Sequence, residues 1–320
     1  MANESRTAIY VGIGATLLIA ATKFAAAFAT GSSAMLSEAM HSLVDAGDGG
    51  LLLFGQVRAA RPADEDHPLG HGKELYFWSL IVAIMFFALG SGMSFYEGIQ
   101  HILHPKPITD PKWNYIVLGA STLFTIASFS VAFRTFHKRA GSRSYWETFR
   151  RSKDPTIFTL VLEDLADLTG LAFAFGGVYL GHRLNSPRID GAASVAIGGV
   201  MAVVAMLLAR ESKGLLVGES ATRDERAAIR AAASSDPDVK DVRRIITQYL
   251  GPDSMLVLMD VVFRPELDSA ALGAAVDRME ARITEARPSV KHIYIEVESL
   301  KDIAAERGSF LRDCQVDADR

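Results

Sequence analysis

The stretch Ser33–Ala60 is long and apolar enough to cross a bilayer, yet it carries Glu38, His41, Asp45 and Asp48. A helix rises about 1.5 Å per residue, and the hydrocarbon layer is roughly 30 Å thick. Steps of three or four residues place these four groups on a single helical stripe. Ionisable groups at membrane depth are costly, so they face a protein interior or a wet cavity and serve a purpose there. His41 and Asp45, at i and i+4, can offer a ring nitrogen and a carboxylate oxygen to one cation. The competing reading is a buried polar pair that glues helices together. From this segment alone, both readings stand.

A second stretch shifts the balance. Asp154–Arg183 contains E-D-L-A-D, which sets Glu163, Asp164 and Asp167 in another apolar run of membrane length. No Lys or Arg shares that helix core, so its carboxylates are expected to need protons or a metal. Two such helices packed together supply one nitrogen and three oxygens, enough for a four-coordinate divalent site. The site reading then outweighs simple packing.

The rest of the chain fits a polytopic membrane protein with one soluble portion. Of 320 residues, 49% are hydrophobic and only 22% charged, a balance far from that of an ordinary soluble domain. The formal charge of -4 and the lack of a basic concentration outside the loops argue against nucleic-acid binding. The single cysteine, Cys314, excludes an intrachain disulfide and a cysteine-based zinc cluster. Met1–Thr7 lacks the small-residue cleavage pattern of a signal peptide, so the first apolar helix is expected to be retained.

Six segments qualify as spans: about 8–29, 33–60, 75–103, 113–137, 155–183 and 189–216. Arg58, Arg61 and Lys73 follow the second span. Arg134, Lys138, Arg139, Arg143, Arg150, Arg151 and Lys153 follow the fourth, and Arg210 and Lys213 lie at the end of the last. The positive-inside rule then puts both termini in the cytoplasm. From about Thr222 the composition becomes that of a soluble domain. Thr222 and Glu225 have capping-box spacing for a helix over Arg223–Ser234. Val242–Leu250 and Met255–Phe263 read as strands around the turn Gly251-Pro252-Asp253. Leu267–Ala286 has apolar residues at helical spacing, and Val290–Val297 alternates as a third strand. The order αββαβ predicts a small open α/β sandwich, small enough to profit from a partner copy. The expected domains are therefore 1–216 in the membrane, 217–300 soluble, and a polar tail over 301–320.

Lesser motifs have two readings each. In D-E-D-H-P-L-G-H-G-K-E, the residues Asp64, His67 and His71 suit a zinc site, or the loop is a solvated turn built on Pro68 and Gly70. Asp190 reads most simply as an N-terminal residue of the last span, favoured by the helix dipole. Lys23, in the first span, is expected to snorkel or pair rather than bind substrate.

The segments A-M-L-S-E-A-M-H-S-L-V-D, H-P-L-G-H-G-K-E and I-D-G-A-A-S together resemble the cation diffusion facilitator family, from about Tyr10 to Glu298. The resemblance implies a homodimer, each protomer with six transmembrane helices and a cytoplasmic ferredoxin-like αββαβ domain. It also implies export of cytoplasmic divalent metal against protons. The intramembrane transport site would carry over onto His41, Asp45, Glu163 and Asp167, and a loop site onto Asp64, His67 and His71. Many zinc-transporting members have histidine where Glu163 stands, so this chain resembles the zinc transporter branch with glutamate in the fifth-helix site. Lys240, Met259 and Asp260 fall near positions where some relatives build a metal site in the soluble domain. Only Glu296 and Glu298 remain as ligands there, which favours a domain used mainly for dimerisation.

The expectation is proton-coupled efflux of a divalent cation, Zn2+ first and Mn2+, Co2+, Fe2+ or Ni2+ as alternatives. The chain would be a multi-pass protein of the cell (inner) membrane, in contact with the lipid bilayer. It would be no enzyme, with no organic cofactor. An intramembrane metallohydrolase fits poorly, because there is no H-E-x-x-H and four ligands leave no position for water. A non-transporting metal-binding partner is the remaining alternative.

Overall fold

A computed structural model describes residues 2–105, 112–141, 144–145, 148 and 153–297. The chain forms two compact units. One comprises Met1–Arg61 with Lys73–Leu216. The other joins the loop Pro62–Gly72 to the described residues from Val217 onward. The expected tail over 301–320, Cys314, Glu298 and Arg143, Arg150 and Arg151 lie outside the described residues.

The first unit is a helical bundle: α1 (Ala2–Thr30), α2 (Ser33–Ala59), α3 (Glu74–Met85), α4 (Gly92–Leu103), α5 (Lys112–Ala140), α6 (Pro155–Arg183) and α7 (Arg188–Val217). α3 and α4 form one continuous rod, joined by a π-helical stretch over Phe86–Ser91. Among the described residues, four helical segments are long and apolar enough to cross a membrane: Ile13–Thr30, Glu74–Leu103, Lys112–Lys138 and Arg188–Val217. α2 and α6 have the length but not the apolarity, because they carry the acidic groups. A buried apolar cluster including Met35, Phe86, Leu171, Ile197 and Met201 fills the centre of the bundle.

Asp190 corrects the simplest reading of its position. It is fully buried and serves the start of α2 rather than only its own helix. Its carboxylate accepts from the Ser33 N–H at 2.6 Å, the Ala34 N–H at 3.3 Å, and the Ser32 and Ser33 hydroxyls at 2.8 and 3.1 Å. Ser32 meanwhile accepts from the Met35 N–H at 3.1 Å. The first turn of a helix leaves four N–H groups without intrahelical partners. Here Asp190 and Ser32 together take three of them, and a negative charge at the positive end of the dipole adds to the effect. This fixes where α2, and the polar stripe on it, begins.

In the second unit, α8 (Arg223–Ser234), β1 (Val239–Gly251), β2 (Ser254–Phe263), α9 (Ser269–Ala286) and β3 (Val290–Val297) follow in the expected αββαβ order. The sheet order is β1-β2-β3, with β1 and β2 antiparallel and β2 and β3 parallel. Thr222 caps α8, with the full reciprocal capping box to Glu225. Alternation along β2 buries Met255, Val257, Met259 and Val261, and these pack with Ile229 of α8 and Met279 and Ile283 of α9. Loop 62–72 belongs to this unit because Gly72 lies against the Leu250 carbonyl. A Cβ at Gly72 would come within 2.4 Å of that oxygen.

Asp236 ties the end of α8 to α9. Its side chain is fully buried and accepts from Arg278 Nε at 2.9 Å and Nη2 at 3.0 Å. The Arg278 hydrogen bonds hold its carboxyl below the usual carboxylate range. Its stabilising contribution is therefore complete above the ordinary carboxylate pKa of about 3.9 and is lost as pH falls toward the lowered value. Asp236→Ala should speed amide exchange in α9 by the equivalent of roughly 2 kcal/mol, the worth of hydrogen bonds to a charged group. Hydrogen-exchange mass spectrometry at neutral pH measures this, and an unchanged α9 would contradict it.

Candidate metal centres

α2 carries its polar stripe inward. Glu38, His41 and Asp48 are fully buried. His41 Nε2 lies 3.4 Å from Asp45 Oδ1, as the i, i+4 spacing requires. The His41 ring also stands edge-on to Phe86, with centroids 5.3 Å apart. Phe86 opens the π-helical stretch, so the local widening of that helix sits beside the candidate ligand. π-bulges are frequent at functional sites.

α6 brings Asp167 to the same place. Glu38, His41 and Asp167 each present one ligand atom within 4.8 Å of the other two, and all three are buried. Asp45 and Glu163 stand beside this group: together with Asp164, Asp167, Thr125, Ser128 and Ser42 they line a cavity of about 130 Å³. The four expected transport-site residues thus share one region of the bundle. The tight cluster contains two of them, His41 and Asp167, and adds Glu38, to which the sequence assigned no role. Asp164 is engaged elsewhere, accepting from Ser128 Oγ at 3.2 and 3.1 Å. Among the described residues, neither ring nitrogen of His41 has a hydrogen-bond partner. The same holds for Asp45 Oδ1, both Asp48 oxygens and Glu163 Oε1. Buried polar atoms are nearly always paired, so a cluster of orphans points to a ligand.

The expectation that these carboxylates lack a fixed cation is overturned. Lys23, from α1, is fully buried, with Nζ 2.9 Å from Glu38 Oε2 and 3.5 Å from Asp167 Oδ1. Ser42 Oγ accepts from it at 2.9 Å, and Thr125 donates to the other oxygen of Asp167. Inspection of α6 alone could not find this, because the cation crosses from another helix. The signal was a lysine in the middle of an apolar span.

The loop site is assembled as well. Asp64, His67 and His71 also present ligand atoms within 4.8 Å of one another. The His67 N–H donates to Asp64 Oδ1 at 2.7 Å, and this bond holds the Asp64 carboxyl below the usual range. His71 Nε2 lies 3.5 Å from Asp64 Oδ2, and the two imidazoles are 4.2 Å apart. His71 Nδ1 faces the Pro62 carbonyl at 3.2 Å. A carbonyl only accepts, so Nδ1 carries the hydrogen and Nε2 offers its lone pair toward Asp64 and His67. Two nitrogens and a carboxylate leave one tetrahedral position open, the donor set of zinc. Glu296 of β3 is described, and among the described residues it belongs to no metal-sized cluster.

Comparison with known proteins agrees with this layout. Residues 9–217 match the family model described as the cation efflux transmembrane domain, and residues 221–300 match the cation efflux protein cytoplasmic domain. A proton-coupled zinc antiporter, SLC30A9, mitochondrial, of Xenopus laevis is 28% identical over 307 residues, covering 84% of this chain and 55% of that protein. Its Homo sapiens counterpart is 29% identical over 316 residues, covering 86% and 55%. Metal tolerance protein C4 of Arabidopsis thaliana is 26% identical over 340 residues, covering 92% and 74%. The chain thus spans about half the length of the antiporters it matches.

The loop geometry predicts that the joint substitution His67→Ala and His71→Ala removes one of about two zinc ions bound per chain. The ion held in the helical bundle should remain. Equilibrium dialysis of the purified protein followed by elemental analysis reads the count. Loss of all zinc, or no loss, would contradict two separate centres.

Proposed function

We propose that this chain, which belongs to the cation efflux family, carries a divalent cation across a membrane in exchange for protons, with zinc as the first substrate. The observation that carries the reading is the buried cluster of Glu38, His41 and Asp167 beside Asp45 and Glu163. Carboxylates and an imidazole with unsatisfied atoms deep in an apolar bundle are expensive to maintain for packing alone. The names of the antiporter relatives support both zinc and proton coupling. His41, Asp45, Glu163 and Asp167 form the proposed transport site; Asp64, His67 and His71 form a peripheral site that delivers or tunes.

In this reading the bundle has six spans: α1, α2, the α3–α4 rod, α5, α6 and α7. Both termini lie on the side from which metal is taken up. Each ligand binds metal only in its deprotonated form, so metal arriving at His41 and the carboxylates displaces protons. Rocking of the bundle exposes the site to the other side, where protons compete the metal away. Imidazole suits this exchange because histidine ordinarily changes charge near neutral pH. The chain works as a homodimer through its second unit. On the sheet face opposite the helices, the cross-strand neighbours Ile246, Leu258 and Tyr294 are exposed. An apolar patch on so small a domain suits a partner copy.

Asp45→Ala should abolish zinc uptake into vesicles of the purified protein and the proton counterflow that accompanies it, while the protein stays folded and dimeric. Simultaneous zinc and pH indicators in one vesicle preparation measure both fluxes. Zinc flux at the wild-type rate in Asp45→Ala would refute the site. Zinc flux without counterflow in the wild type would reduce the protein to a uniporter.

Glu163 bears on which metal is carried. A carboxylate oxygen favours harder cations such as Mn2+, whereas imidazole suits Zn2+, Co2+ and Ni2+. Glu163→His should keep transport alive and raise the zinc-over-manganese ratio several-fold. Uptake of the two metals in competition at fixed pH reads that ratio. An unchanged ratio would remove Glu163 from direct contact with the metal.

A further inference from the structure

Lys23 is fully buried in the bundle, and an ammonium has three hydrogens to donate. All three find acceptors: Glu38 Oε2 at 2.9 Å, Ser42 Oγ at 2.9 Å and Asp167 Oδ1 at 3.5 Å. Glu38 Oε1, on the other side of the carboxylate, has no hydrogen-bond partner among the described residues. A Cβ at Gly170 of α6 would lie 2.3 Å from Glu38 Oε1, so the carboxylate rests directly against that glycine. Asp167, in turn, is a member of the metal-sized cluster with Glu38 and His41. The contacts are unequal. The ammonium is close to Glu38 and Ser42, both on α2, and distant from Asp167 on α6. His41, at the same cluster, has no hydrogen-bond partner for either nitrogen. A purely structural ion pair would close on Glu38 and leave Asp167 to other donors. Here the tethered cation also reaches Asp167, a carboxylate that belongs with His41 to the proposed transport site.

We propose that Lys23 is an internal competitor for the transported cation. Its ammonium and the metal hold Asp167 in alternation, while Glu38 and Ser42 keep the ammonium parked when metal is bound. This rests on the metal-transport reading of the same site. Two cations cannot occupy adjacent positions around one carboxylate at low dielectric without strong repulsion. Lys23 therefore weakens metal binding, and its return to Asp167 helps expel the ion. It acts as a specificity and release residue, not as a ligand.

The test uses the whole 320-residue chain carrying His67→Ala and His71→Ala, so that zinc reports the bundle alone. Zinc affinity is measured by equilibrium dialysis at fixed pH. Turnover is measured as uptake into vesicles. Lys23→Met should tighten zinc binding by roughly tenfold or more while slowing turnover, since nothing reclaims Asp167. Glu38→Gln, with Lys23 kept, leaves the ammonium Asp167 as its only carboxylate and should weaken zinc binding several-fold. The double variant Lys23→Met with Glu38→Gln should bind as tightly as Lys23→Met alone. Unchanged or weaker binding in Lys23→Met overturns the proposal. If that variant fails to fold, judged by size exclusion and circular dichroism, the other two decide. Wild-type affinity in Glu38→Gln, or weaker-than-wild-type affinity in the double variant, would also overturn it; the latter would make Glu38 a metal ligand. A parent protein that binds no zinc at all would instead bring down the transport reading, and this inference with it.

Discussion

The bundle depends on how negative charge is accommodated in an apolar interior. Each carboxylate at the centre of a membrane helix costs about 2.5–3.5 kcal/mol on insertion scales, and α2 and α6 together bring six. Lys23 offsets part of this by joining three helices at one point: α1 supplies the ammonium, α2 supplies Glu38 and Ser42, and α6 supplies Asp167. Thr125 of α5 completes the shell of Asp167. The remaining acids, Asp45, Asp48 and Glu163, keep buried oxygens without partners among the described residues. One lysine therefore leaves the region short of positive charge, and that deficit is what a divalent cation or protons can fill.

The two candidate metal centres are built by different means. The loop centre is local: Asp64, His67 and His71 fall within eight residues, and a turn held by Asp64 and Pro62 aims both imidazoles. Asp64 and His67 are exposed, while His71 is buried. The bundle centre is assembled from helices far apart in sequence, and its position depends on where α2 starts. Asp190 sets that start by capping α2 from α7. A buried carboxylate is used here as a construction joint, with both its oxygens hydrogen-bonded, while Asp45, Asp48 and Glu163 keep oxygens without partners among the described residues.

Sequence periodicity alone located most of the elements. Thr222 and Glu225 specify a reciprocal cap through contacts three residues apart, so the start of α8 needed no tertiary information. Alternation over Met255–Val261 set which face of β2 is buried, because side-chain direction in a strand has period two. The same local logic identified the α2 stripe and the loop triad. Acids in α2 and α6 made those helices readable as site-bearing, and for the same reason they are the two long helices that miss the apolarity of a membrane span.

What the sequence by itself determined is therefore whatever depends on neighbours three, four or two residues away: the helices, the strands, the i, i+4 pairing of His41 with Asp45, and the loop cluster. What only the tertiary structure decided is which charges meet. Lys23 lies 144 residues from Asp167, and Asp190 lies 157 from Ser33. Neither separation leaves a periodic trace in the chain, because the contact is made by packing one helix against another. The pattern showed that charge had to be buried; only the packed bundle showed that a lysine stands among the buried carboxylates of two other helices.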